Sequence, residues 1–134
     1  MNLLLDTHIL IWALNDDLRL SEKARKMILN PRNVVYYSSV SVWEVSIKHT
    51  LHPESVSFGA KELTTYCKEA GFSSLELREE HVFALETLAR PGDAPKHNDP
   101  FGRALVAQAK MENMTFLTHD SLIPYYKENC IVWV

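Results

Sequence analysis

A carboxylate interrupts the most apolar stretch of the chain almost at its start, in MNLLLDTHILIWAL. Asn2–Leu5 is a short apolar run, Asp6 ends it, and Thr7 opens a longer one from His8 to Leu14. A four-residue run without polar alternation reads as a strand buried on both faces, and the longer run as a helix. Asp6 therefore falls at the carboxyl end of a central strand, where open α/β sheets place their ligands. A carboxylate buried there is costly unless something positive meets it, and a metal ion is the natural candidate. The competing reading is that Asp6 or Thr7 merely caps the helix.

The rest of the chain alternates in the same way. Ser21 with Lys23–Leu29 makes a capped amphipathic helix that Asn30–Pro31 closes. Val34–Ser38, β-branched and aromatic, is a second strand, and Val40–Leu51 returns to helical spacing. Ser57 can cap a helix over Ala60–Ala70 that Gly71 terminates, and Phe72–Leu77 alternates weakly as a third strand. A helix over Glu79–Ala89, a loop over Arg90–Asn98 and a helix from Pro100 to about Asn113 follow. Strands at Thr115–Thr118 and Ile131–Val134 end the pattern. Strands alternating with helices imply an α/β fold with a mainly parallel sheet and helices on both faces. At 134 residues, with no repeat or linker, residues 1–134 form a single domain.

Charge and cysteine usage narrow the class. No apolar run approaches the ~20 residues needed to cross a membrane. The start of the chain has neither a basic leader nor a cleavage site, so no signal peptide is expected. Cys67 and Cys130 are far apart and lack metal-ligand spacing, which suits free thiols in a reducing cytoplasm. A net charge of −3 is not that of a general nucleic-acid binder. Carboxylates that hold cations, however, count as negative while the occupied site is less so.

Three further acids stand out by position. Glu44 lies among Val40, Val42, Trp43, Val45 and Ile47, in a helix too apolar to be exposed, with Lys48 four residues on as an ion-pair partner. Ser41 adds a polar group to the same region. Asp99 precedes Pro100, the arrangement of a helix cap followed by proline at the first helical position. Gly102 then falls at N3, where a glycine costs up to ~1 kcal/mol and where Glu or Gln would complete a capping box. Asp120 directly follows the strand TFLTH; it either opens a turn or, like Asp6, faces the sheet's carboxyl edge. Together these acids can converge at one edge of a parallel sheet and hold a hard cation such as Mg²⁺ or Mn²⁺. Such ions support in-line displacement at a phosphodiester.

The segments LLLDTHILIWAL, SVWEVSIK, HNDPFGRALVAQA and FLTHD, in this order, resemble the PIN domain, and more narrowly the VapC-type ribonuclease toxins of bacterial toxin–antitoxin pairs. The resemblance covers nearly the whole chain. It implies a three-layer α/β/α sandwich, Mg²⁺- or Mn²⁺-dependent endoribonuclease activity on an RNA substrate, a cognate antitoxin, a homodimer and a cytoplasmic location without membrane attachment. Carried over by position, Asp6, Glu44 and Asp120 match metal-ligating catalytic acids. Thr7, Ser41 and Lys48 match neighbours that line the site. The family's helix-start motif usually reads Asp-Pro-Phe-Asp-Arg, so Asp99 matches its first acid and Arg103 its arginine, while the metal-facing second acid falls on Gly102. Asp99 stays in the catalytic and metal set as the acid that can lean in instead. The expectation is a weakened nuclease.

Two alternatives stand beside it. One is a catalytically inactive PIN domain that binds antitoxin or RNA. The other is a phosphatase or phosphotransferase beginning at Asp6-Thr7, which wants a second Asp where His8 stands. Arg103, Lys96, His97 and Lys48 are candidate phosphate contacts by proximity to the motifs.

Overall fold

The computed structural model describes residues Met1–Val134. Its centre is β1 (Asn2–Leu5), flanked by β2 (Val34–Ser38) and β4 (Thr115–Thr118), with β3 (Ser73–Leu75) and β5 (Ile131–Trp133) at the edges. Every pair is parallel, and Leu4 sits opposite both Tyr36 and Phe116. Leu3, Leu4 and Leu5 are wholly buried because successive strand residues face opposite sides. Leu3 and Leu5 join one core with Ile9, Leu10, Leu63 and Cys67. Leu4 joins another with Leu105, Val106, Phe116 and Ile123. Two cores on one sheet make a three-layer α/β/α sandwich, with β1 buried on both faces as its apolar run implies.

The helices are α1 (Thr7–Leu14), α2 (Glu22–Leu29), α3 (Ser39–Leu51), α4 (Ala60–Glu69), α5 (Glu79–Leu85) and α6 (Pro100–Glu112), with a 3-10 turn at Ile123–Tyr126. Val40 of α3 packs into one core and Val45 into the other, so α3 spans both layers. Several expected boundaries differ, and the third strand shrinks from Phe72–Leu77 to Ser73–Leu75. Gly59, not Ser57, caps α4, and the Glu62 carboxylate accepts from the Gly59 N–H at 3.3 Å. α5 ends at Leu85, because the next backbone bonds run to residues three back (Glu86 to Phe83, Thr87 to Ala84, Leu88 to Leu85), a tightened exit rather than a longer helix. Gly71 ends α4 at φ +82°, a conformation other residues adopt at a cost.

A polar connection that no sequence motif signals runs inside the apolar core. Ser38 donates to Gln108, whose amide reaches His81 Nδ1 and the Glu76 carbonyl, both at 3.4 Å. His81 is fully buried and pairs with Glu112 at 2.9 Å. Both cysteines are free, and burial pushes the Cys67 thiol up to about 12.

Candidate metal centre

Asp6 is held from two sides. Its Oδ1 accepts from the Thr7 N–H at 2.9 Å, so the helix cap is real. Its Oδ2 accepts from the Thr118 hydroxyl at 2.7 Å, reached because the β1–β4 register sets Leu5 beside Leu117. Only 5% of the residue is exposed. Burial raises its carboxyl to about 7, against the two hydrogen bonds, and the charges of Glu44 and Asp99 push the same way. Capping and a poised acid are thus one feature. Thr118 also accepts from the Asp120 N–H at 3.0 Å, so one hydroxyl positions both strand-end acids.

Glu44 lies on α3 with its side chain 9% exposed, paired to Lys48 Nζ at 2.6 Å. The Thr7 and Ser41 hydroxyls meet at 2.9 Å and pin the start of α1 to α3. At the start of α6, Asp99 Oδ1 accepts from the Phe101 N–H at 3.0 Å. The other oxygen explains Gly102. A β-carbon there would stand 2.8 Å from Asp99 Oδ2 and 3.4 Å from His97 Cε1. The glycine leaves the space over which the Asp99 carboxylate leans.

Asp120 uses Oδ1 to accept from the Leu122 N–H at 2.9 Å, so it too both opens a turn and faces the site. Its Oδ2 lies 3.5 Å from His97 Nε2. His97, Asp99 and Asp120 offer atoms that all lie within 4.8 Å of one another, a span a single cation can bridge. His8 stands between Asp6 and the backbone just before Asp120: its Nε2 accepts from the His119 N–H at 3.1 Å, and its Nδ1 stands 3.8 Å from Asp6 Oδ2. Burial lowers the basicity of His8, and the Asp120 charge opposes that.

The structure brings Asp6, Thr7, Ser41, Glu44, Lys48, Asp99, Gly102 and Asp120 to one end of the sheet. Arg103 is not on that lining: its guanidinium donates to the Leu85 carbonyl at 3.1 Å and lies 5.9 Å from the Tyr126 ring centre, bracing the wall behind His97. Lys96 stays exposed. Thr118 and His8 do not stand out as site residues in the sequence, where His97 is only a candidate phosphate contact. A threonine closing the strand before Asp120 was the available signal for the first. His97 depends on Tyr126, far along the chain, and carried none.

A model of the PIN domain matches residues 3–128. The chain belongs to the PIN domain family. This PIN domain has the fold seen in the crystal structure of VapBC2 from Rickettsia felis bound to a DNA fragment from their promoter. The TM-score is 0.67 at 14% identity, covering 100% of this chain and 98% of that one. No curated protein matches by sequence. No helix is long and apolar enough to cross a membrane.

Proposed function

We propose that this PIN domain is a VapC-type endoribonuclease, the toxin of a toxin–antitoxin pair, in which Asp6, Glu44, Asp99 and Asp120 hold Mg²⁺ or Mn²⁺. The observation that carries this reading is the gathering of acids at one sheet edge, where the Thr118 hydroxyl meets both the buried Asp6 carboxylate and the Asp120 N–H, and Asp120 and Asp99 lie within 4.8 Å of one another. Carboxylates that repel one another in a buried site are suited to a hard cation, which supplies the missing positive charge. When bound, the ion supplies Lewis acidity toward water and toward the charge on a phosphodiester.

The chain's own residues set the geometry. Thr118 orients Asp6 and Asp120 together, while Lys48 holds Glu44 and screens it until a cation competes. Trp43 is largely exposed and sits edge-on to Phe101 at 4.8 Å, offering an aromatic face beside Glu44 on which an unstacked base can rest. The antitoxin, on this reading, presents a cationic side chain to the same acids, since an arginine answers carboxylates as a metal does. A homodimer and a cytoplasmic setting accompany the assignment.

The nuclease is weakened relative to a site with a dedicated acid at position 102. Asp99 must serve as cap and ligand, and one of its oxygens is already bound to Phe101 N–H. The same observation favours the second reading, an inactive domain that binds antitoxin or RNA. Incubating the purified chain with RNA and Mg²⁺ or Mn²⁺ separates them. Metal-dependent cleavage that Asp6→Asn and Glu44→Gln abolish supports the nuclease. RNA left intact by a chain that binds neither ion overturns it, and intact RNA that is nonetheless bound selects the binding module.

A further inference from the structure

His97 is buried more deeply than a residue that only touches a substrate phosphate needs to be. Its side chain is 2% exposed, in the loop before α6. Nδ1 meets the Tyr126 hydroxyl at 2.7 Å, and the two rings stand edge to face at 5.5 Å. Nε2 has no hydrogen-bond partner at all. A buried polar atom left without a partner is rare and costly in a folded chain. This one faces the space shared by Asp99 and Asp120.

The tautomers give that orphan a chemical meaning. With Nδ1–H donated to the Tyr126 oxygen, Nε2 turns a lone pair toward two carboxylates, an arrangement that is repulsive until a cation sits between them. With the proton on Nε2, Asp120 Oδ2 lies 3.5 Å away in a position that makes no hydrogen bond. Asp120 is instead fixed by the Leu122 N–H. A metal-bound imidazole almost always donates its other N–H to an oxygen that sets its tautomer, and Tyr126 is placed to accept it.

We propose that His97 is an imidazole ligand, through Nε2, to a divalent cation it shares with Asp99 and Asp120, making a mixed nitrogen–oxygen site that prefers Mn²⁺ to Mg²⁺. The inference rests on the metal-dependent reading above and adds to it a ligand and a selectivity. Mg²⁺ is served by carboxylate, carbonyl and water oxygens, whereas an imidazole nitrogen shifts affinity toward later first-row ions. His8 is the neighbouring imidazole, but its Nε2 is already engaged by the His119 N–H, and its Nδ1 faces Asp6 rather than this pair.

Pulsed electron paramagnetic resonance of Mn²⁺ bound to the whole chain tests this without any turnover. Nitrogen hyperfine coupling is expected in the natural chain and in His8→Gln, and is lost in His97→Gln. The preference for Mn²⁺ over Mg²⁺ in His97→Gln should fall by about tenfold, with the remaining Mn²⁺ held by oxygen alone. Should His97→Gln fold poorly, the natural chain still decides, and Tyr126→Phe should keep the nitrogen coupling while weakening Mn²⁺ binding. Mn²⁺ bound without nitrogen coupling, or coupling that survives His97→Gln, overturns the role of His97 and leaves the metal-dependent nuclease standing. No Mn²⁺ or Mg²⁺ binding at all overturns both.

Discussion

Asp6 meets conflicting demands. It must be buried to close β1 and cap α1, yet a cation site needs it ionised. Its folded carboxyl titrates near 7 against a reference of 3.8, with burial as the main cause. The sign follows from that upward shift. The folded chain binds the proton more tightly than the unfolded one, so the metal-free protein is most stable below about pH 4 as far as this group is concerned. That contribution is lost as pH rises through 7. Each pK unit corresponds to about 1.4 kcal/mol, so the loss is on the order of a few kcal/mol. We expect the melting temperature of metal-free protein to fall from pH 5 to 7.5, and Asp6→Asn to flatten that slope. Saturating Mn²⁺ should reverse it, since the ion binds the deprotonated carboxylate. A slope unchanged in Asp6→Asn would remove Asp6 as its source.

The start of α6 shows how an element can be legible and its chemistry not. Asp99–Pro100 announced the cap, and the strand runs at Asn2–Leu5, Val34–Ser38 and Thr115–Thr118 match the observed strands. Those features are local: a cap reads the next few amides, and a buried strand needs only its own apolar side chains. Gly102 reads locally as a defect and makes sense only against Asp99 Oδ2, which occupies the volume its side chain would take. His81 and Gln108 were hidden for the same reason, because their partners come from other elements. The glycine account gives a graded series. Gly102→Ala should gain helix propensity, up to ~1 kcal/mol, yet displace the Asp99 carboxylate and lower Mn²⁺ affinity by about tenfold. Gly102→Asp makes the same intrusion but returns an acid near the helix N-terminus, where the dipole favours it. Its Mn²⁺ affinity and RNA cleavage should exceed those of the natural chain. Isothermal titration of the series checks the order, and an alanine variant that binds as well as glycine would show that Asp99 serves only as the cap.

For the whole molecule, the all-parallel sheet turns local patterns into a site. Every strand points its carboxyl end the same way, so Asp6 after β1 and Asp120 after β4 emerge side by side. α3 follows β2 and brings Glu44 to that edge, while the loop into α6 brings His97 and Asp99. On the proposed function, a cation shared by these groups would tie together segments spread across the sequence, and its binding energy would become folding energy. At one hundred times its dissociation constant, Mn²⁺ should add about 2.7 kcal/mol of stability. In a domain of this size that is a rise of roughly 5–10 °C in melting temperature. The pattern of protection discriminates more sharply than the rise. If Asp6, Glu44, Asp99 and Asp120 all serve the cation, Mn²⁺ should slow amide exchange together at Thr7, at the Ser41–Glu44 turn of α3, at Phe101 and at Leu122. The Phe101 and Leu122 amides are donors to Asp99 and Asp120, and the Thr7 amide is a donor to Asp6. Protection confined to Phe101 and Leu122 would mean that His97, Asp99 and Asp120 hold the ion alone, with Asp6 and Glu44 too far away to share it.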